Sequence, residues 1–399
     1  MNILQTILQR GASPIAVDVG AHSIKMLQLT GGADKWSVAA TAEYAMPIEG
    51  IETEGDRRAV LTDGLRRLVE VGGFAGRSVV AAVPEPFMRY KNLRLPRMDP
   101  AERDEAVRWE AADRLELGDA PAQVEHIHAG EVRNGEEVRD ELILMAALQR
   151  DLAAFTEALV AAGLKPLALE PTVLPLLRCF SRTFRREADQ REPRVIVDLG
   201  ADSAKVLIVR DGATMFFKRV DIGGRHLDRT VAEHLGMEIE EAARLRWRLT
   251  ATDHEAPGPP ADPADPADRR QDAVPQSPPA PEDDGGVEVR RAVADAARGV
   301  LDDLCHEVGL CLRYFSVTFR GKRPEHVWLT GGGAHDGAIR RALEAKLDGA
   351  VRVADPFEGM DLSGPSVQLD RRGRRCEWAV AVGLALRPDT REARKGAAA

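Results

Sequence analysis

One short segment occurs twice in this chain, and it restricts the fold more than any other feature. Val17 to Thr30 reads VDVGAHSIKMLQLT, and Val197 to Arg210 reads VDLGADSAKVLIVR. Val, Asp, Gly, Ala, Ser, Lys and Leu recur at the same offsets. Each copy is an apolar run, an Asp-x-Gly turn, a small polar stretch and a second apolar run. That is the pattern of a β-hairpin with a glycine-bearing loop. Two hairpins of one design, far apart in the chain, predict two related domains facing one another.

The loops suggest phosphate chemistry. A glycine in the turn, Gly20 or Gly200, lets backbone N–H groups approach a phosphate with no side chain in the way. Ser23 and Ser203 add hydroxyl donors. Lys25 either faces the phosphates or forms an ion pair. Asp18 and Asp198 repel phosphate, so their sensible role is to hold a Mg²⁺ ion through water. A third element, Gly331, Gly332 and Gly333, follows the apolar run Val327 to Leu329 and precedes a helix capped by Asp336. Glycines there permit close approach to a flat ring or a phosphate near a helix N-terminus. Any one of these loops alone could be an ordinary tight turn. All three in this order argue for a nucleotide cleft.

The rest of the chain divides by pattern. Val79 to Val83 reads as a strand, Leu142 to Leu148 as another, and Asp99, Pro100 and Glu102 as a capping box that opens a helix. Asp151 starts a helix with Leu152, Phe155 and Leu159 on one face, ended by Gly163. Together these predict an inserted α+β subdomain over residues 85–164. Gly223-Gly224 leads into a helix carrying Leu227, Val231 and Leu235, closed by Gly236. Thr250 to Gly286 is rich in Pro, Ala and Asp and reads as a disordered insert. Helical pattern resumes from Val287 to Phe315, and Trp378 to Leu386 reads as a closing helix. The first ten residues give a short amphipathic helix packed on the first domain.

Composition excludes several classes. The 399 residues carry a formal net charge of -9, which argues against a nucleic-acid binder. The four cysteines form no Cys-x-x-Cys pair and read as free thiols in a reducing compartment. No run of eighteen apolar residues is present, so no spanning helix is expected. His22, His126 and His128 lack ligand spacing and read as surface residues. Arg371, Arg372, Arg374 and Arg375 flank Gly373 and read as a solvated hairpin tip. Trp109, between Arg108 and Glu110, either packs in a core or lines a groove.

These motifs resemble the actin, Hsp70 and sugar-kinase superfamily, and within it the chain is similar to the PilM family of type IV pilus assembly proteins, relatives of the division protein FtsA. The resemblance rests on IAVDVGAHSIKMLQL, VVAAVPEPFM with NLRLP, AVRWEAADRL and AGLKPLALEPTVLPLLR. It continues through VIVDLGADSAKVLIV, DIGGRHLDRTVAEHLGMEIEEAARLR, WLTGGGA and AVGLALR. It implies an α/β, actin-like (ribonuclease H-like) two-domain fold. The first domain would span 12–84 with 165–193, the partner-docking insertion 85–164, and the second domain 194–388, with the disordered insert at 250–286. It also implies ATP between the halves with Mg²⁺, and a cytoplasmic protein at the inner face of the inner membrane. There it would dock the N-terminal tail of a PilN-like inner-membrane protein and assemble into a ring, peripheral to the membrane through its partners. Asp18, Gly20 and Ser23, then Asp198, Gly200 and Ser203, are carried over as phosphate and metal contacts, and Gly331 to Gly333 as the adenosine contact. Where the family places a Glu and a Lys on the helix that meets the nucleoside, this chain has Ala243 and Arg246. Arg246 would stack or hydrogen-bond there.

Two other classes use the same fold. A small-molecule kinase needs a base aimed at a substrate hydroxyl, and no Asp outside the loops qualifies. An FtsA-like protein would carry an apolar face on the tail Arg387 to Ala399, and a type II secretion protein would carry a membrane span. Neither is present in the sequence. With no dedicated base in view, the expectation is at most a slow ATPase.

Overall fold

The computed structural model describes residues 11–32, 35–47, 53–134, 137–184, 192–251, 284–320, 324, 326–347, 349–364, 366–369 and 375–388. The expectations for residues 1–10, for 252–283, for the tip at Arg371 to Arg374 and for the tail beyond 388 fall outside the described residues.

The chain begins with an antiparallel meander of β1 (Ile15–Val19), β2 (Ser23–Gly32) and β3 (Lys35–Ala45), then α1 (Glu54–Val71) and β4 (Ser78–Ala82). It leaves through β5 (Met88–Pro96), α2 (Pro100–Arg114), β6 (Ala122–Asn134) and β7 (Glu137–Leu148). It returns by α3 (Gln149–Ala161), β8 (Lys165–Glu170) and α4 (Val173–Thr183). The first sheet has the order β3-β2-β1-β4-β8, with β1, β4 and β8 parallel. The second half repeats it. β9 (Arg194–Leu199), β10 (Ala204–Arg210) and β11 (Ala213–Val220) form the meander. Helices α5 (Gly224–Leu235), α6 (Ile239–Ala251) and α7 (Asp284–Phe319) follow, then β12 (His326–Thr330), α8 (Gly337–Leu347) and β13 (Ala350–Val353). The second sheet runs β11-β10-β9-β12-β13, again with three antiparallel strands followed by two parallel additions. The central strands of the second sheet are covered on both surfaces; all six residues of β9 and six of the seven of β10 are buried.

The capping chemistry differs from expectation in one place. Asp99 sits at the N-cap of α2 with Pro100 after it, but its side chain makes no cap bond. The capping box belongs to α1, where Thr53 Oγ1 accepts from Asp56 N and Asp56 Oδ2 accepts from Thr53 N. Gly236 closes α5 in the left-handed region, at φ 65°.

Three boundaries shift from the sequence expectation. First, the insertion drawn over 85–164 packs as a unit only through β5, α2, β6 and β7. The strands form a separate sheet, β5-β7-β6, whose one face holds α2 through Leu93, Val107, Ala111 and Leu144. Helix α3 instead puts Phe155 and Leu159 into the first lobe's core with Ile15, Val17 and Leu65. Second, helices reach Ala251 and resume at Asp284, narrowing the stretch drawn over 250–286 from both ends. Third, the closing helix α9 (Ala379–Ala385) does not pack in the second domain. After β13 the chain crosses back along the edge of β3, where Val38 N donates to Asp361 O at 2.8 Å. Helix α9 then lies against α4, with Ala381, Val382 and Leu384 in one core with Ala16, Leu27, Val80 and Leu176. The first lobe is therefore completed by a helix that follows the whole second sheet in sequence.

Candidate functional site

The two Asp-x-Gly hairpins meet across the interlobe cleft with matching geometry. Gly20 N donates to Ser23 O at 3.0 Å, and Gly200 N donates to Ser203 O at 3.0 Å. In each hairpin the Asp and the Lys seven residues later stand directly opposite on antiparallel strands: Asp18 with Lys25, Asp198 with Lys205. Directly opposed residues share a sheet face, so each loop presents one acid and one base to the cleft.

The two pairs are wired differently. Lys205 Nζ lies 2.7 Å from Asp198 Oδ2, and both are buried. Burial would lower the lysine pKa, but the carboxylates of Asp198, Glu85 and Asp18 raise it above its usual value. Lys25 turns away from its opposite number. It donates to Ser23 Oγ at 2.6 Å and pairs with Glu43 at 3.1 Å and Glu377 at 3.4 Å. Burial again works against its charge, and Glu377, Glu43 and Asp18 more than offset it. Of the two readings of Lys25, the ion pair is the one the structure contains. Asp18 is left with no hydrogen-bond partner among the described residues. Burial lifts its pKa from 3.8 to about 6, against the pull of Lys25 and Lys205.

Arg225, at the start of α5, joins the two loops directly. It donates to Asp202 Oδ1 at 2.7 Å in the second loop and to Ala21 O at 3.0 Å in the first. The glycine loop after β12 is packed against the same region. A Cβ on Gly331, whose φ is +81°, would lie 2.5 Å from Leu199 O, and one on Gly333 would lie 2.9 Å from Leu199 Cβ. Two of the three glycines are thus required by the close approach to β9. A Cβ on Gly332 would meet nothing closer than the Glu377 carboxyl at 3.9 Å. Cys376 ties this loop to the returning chain: its carbonyl accepts from Gly331 N at 3.0 Å, and its thiol lies 3.0 Å from His335 Nε2.

Arg246 does not point freely into a nucleoside pocket. It pairs with Asp228 and Asp336 and donates to Gly224 O at 3.1 Å, joining α6 to α5 and the N-terminus of α8. Asp336 also caps α8, accepting from Ala338 N at 2.8 Å. His126 pairs with Asp104 and His128 with Asp140, and no cluster able to hold a metal directly occurs among the described residues. Trp109 is 79% exposed on α2.

Several residues at this site carry no motif of their own. Glu43, Glu85, Thr172 and Glu377 come from four distant segments. Lys205 and its opposite number Lys25 were visible as a repeat, and the seven-residue offset from each Asp is the signal that pairs them across a hairpin.

A hydrated divalent cation fits the donor set. Asp18 is a carboxylate whose ionised form is disfavoured by burial and which pairs with no cation among the described residues, so a metal ion would relieve it. Carboxylates outnumber the cations Lys25, Lys205 and Arg225 around the cleft, so a bare triphosphate would be repelled and a metal complex would not. The same balance predicts the effect of Asp18→Asn. The folded-state pKa is raised, so the ionised carboxylate costs stability above about pH 6 and costs nothing below the unfolded value of 3.8. Asparagine should raise stability at pH 7 by about 1–2 kcal/mol after screening by cleft water. Thermal melts at pH 7 and near pH 4 check this: the gain should be present in the first and gone in the second.

Among solved structures, the chain is similar to a chain of a PilM-PilN type IV pilus biogenesis complex, with a TM-score of 0.71, 20% identity, and 94% of this chain and 99% of that one covered. It is also similar to the ethanolamine utilization protein EutJ from Carboxydothermus hydrogenoformans, with a TM-score of 0.50, 13% identity, and 94% and 89% covered. At these identities the likeness speaks to the fold, which is the actin-like, two-lobed α/β fold expected from the duplicated hairpins. A family model described as Type IV pilus assembly protein PilM matches residues 16–250 and 298–389, a span that takes in both hairpins, the inserted sheet, the glycine loop and the returning helix. On that match the chain belongs to the type IV pilus assembly protein PilM family.

Proposed function

We propose that this chain is a cytoplasmic, ATP-binding scaffold of a type IV pilus assembly machine, positioned at the inner face of the inner membrane by its partners. Its inserted module docks the N-terminal tail of a PilN-like inner-membrane protein, and copies of the chain assemble into a ring. The observation that carries the nucleotide reading is the pair of matched Asp/Lys hairpins facing one cleft. Family membership carries the pilus reading. No helix among the described residues is long and apolar enough to cross a membrane, which suits attachment through a partner.

Asp18 and Asp198 would hold the Mg²⁺ through water, and the ion would neutralise phosphate charge. Gly20, Ser23, Gly200 and Ser203 shape the loops on either side of the phosphates, with Lys25 and Arg225 within the same cleft. Gly332 is the member of the glycine loop open to the nucleoside, and Gly331 and Gly333 hold that loop against β9. Arg246 braces the nucleoside end rather than reading the base, because two carboxylates already engage its guanidinium.

Docking supports a scaffold role through the position of the insertion. Its sheet packs on the second lobe, where the Tyr90 and Phe217 rings lie 4.7 Å apart. Arg94 donates to Glu141 at 2.6 Å and to Thr318 of α7 at 2.7 Å. A module grown from the first lobe and fastened to the second is sensitive to how the lobes are set, so nucleotide and partner would be coupled. Titration of the full chain with a PilN-like N-terminal peptide, with and without Mg-ATP, tests this. Binding should occur and tighten about 5–150-fold with Mg-ATP. Absence of binding in both states would remove the pilus reading.

A further inference from the structure

The parallel strands β1, β4 and β8 end together, with Val17 opposite Ala81 and Ala82 opposite Glu170. The carboxyl ends of parallel strands are where open α/β sheets hold ligands. Four acidic residues sit near this edge or face it, and two are engaged by cations. Asp198 is paired with Lys205. Glu170 is held by Arg178 and by Arg387, the latter at 2.8 Å. Asp18 is the carboxylate suited to the cation. Glu85, in the turn after β4, is different. Its Oε1 accepts from the Thr172 hydroxyl and, at 3.4 Å, from the Tyr90 hydroxyl. Its Oε2 is buried and has no hydrogen-bond partner among the described residues.

A buried carboxylate oxygen without a donor is costly, and its retention calls for a reason. Two hydroxyls fix the carboxylate by one oxygen and leave the other uncommitted. Thr172 stands at the N-cap of α4 with a helical backbone, at φ -59° and ψ -21°, makes no cap bond, and donates its hydroxyl to Glu85. Glu85 follows β4, whose parallel neighbour β1 leads into the first Asp-x-Gly loop, so it stands on the same sheet edge as that loop.

We propose that Glu85 is the proton acceptor of the cleft, its Oε2 receiving a hydrogen bond and then the proton from a water that attacks the terminal phosphorus of a bound nucleoside triphosphate. This rests on the nucleotide reading above. In that step the water oxygen bonds to phosphorus. The bond from phosphorus to the bridging oxygen of the leaving diphosphate breaks, and its electron pair stays on that oxygen. One water proton passes to Glu85, which later releases it to solvent. Tyr90 belongs to β5 of the inserted sheet, so the group that orients Glu85 lies in the module proposed to dock the partner. Turnover would then answer to docking as well as to nucleotide.

Glu85→Gln in the full chain is the test, since the amide keeps the shape and the contact to Thr172 but cannot take a proton. Mg-ATP affinity and single-turnover hydrolysis would be measured on both forms. The variant should bind Mg-ATP within about twofold of the parent, melt no lower than the parent, and hydrolyse at least about 100-fold more slowly. Nucleotide recovered from it after long incubation should still be triphosphate. Equal hydrolysis by the two forms would overturn the assignment, as would a parent that binds Mg-ATP and never hydrolyses it. A parent that binds no nucleotide would instead overturn the reading beneath it.

Discussion

Replacing Gly383 with alanine is expected to destabilise the protein by about 3–5 kcal/mol. A Cβ at that position would lie 1.8 Å from Pro175 O and 2.4 Å from its carbonyl carbon. The obstacle is backbone in α4, so no side-chain rotation relieves it. Helix α9 would have to lift away from α4, taking Ala381, Val382 and Leu384 out of the largest apolar core. The Gly383 carbonyl also accepts from Arg178, which holds Glu170, so one methyl group disturbs packing and an ion pair together. Urea unfolding of the variant measures the loss. A change below about 1 kcal/mol would mean that α9 does not dock on α4 as described.

Lys205→Met should be comparably damaging, and for an electrostatic reason. Removing one member of a buried ion pair leaves the other charge uncompensated, a loss of about 3–5 kcal/mol. Asp198, 6% exposed, would be that charge. The double change Asp198→Asn with Lys205→Met should recover much of the loss, because neither charge then remains. The pH dependence has a definite sign. The folded-state pKa of Lys205 is raised above the unfolded value of 10.5. Its contribution is therefore fully present below pH 10.5 and is lost as pH rises beyond it. Melting curves between pH 8 and the alkaline limit should show the parent losing stability, with the Lys205→Met component of that slope absent. A single variant as stable as the parent would show that Asp198 has another compensating partner.

Both expectations concern residues whose role was only partly legible in the chain. The hairpins were readable because an Asp-x-Gly turn between apolar runs specifies local backbone, and its repetition specified two lobes. The partner of each Asp was readable in principle, since the cross-strand offset is fixed by the turn. Where α9 packs was not. Its run of Ala, Val, Gly and Leu declares burial but not which sheet it covers, and only tertiary packing selects the first lobe. β6 escaped for a related reason: AQVEHIHAGEVRN is polar on alternate residues and lies against the second lobe on its apolar side. Arg246 was legible as a departure from the family pattern. Its pairing with Asp228 and Asp336 depends on three helices that meet only when folded. Glu85, Thr172 and Tyr90 carry no spacing signal because β4, α4 and β5 bring them together from separate parts of the chain.

The return of α9 to the first lobe has a bearing on synthesis. A domain whose residues are contiguous can close its core as soon as it clears the ribosome. Here Ala16, Leu27 and Val80 emerge long before α9, the helix that shares their core. The first lobe must wait, with an apolar face uncovered, while residues 81–378 are made. Ending translation or trimming the chain before Ala379 would therefore strand the amino-terminal half rather than the carboxy-terminal one, and that half would be the part a chaperone has to shelter.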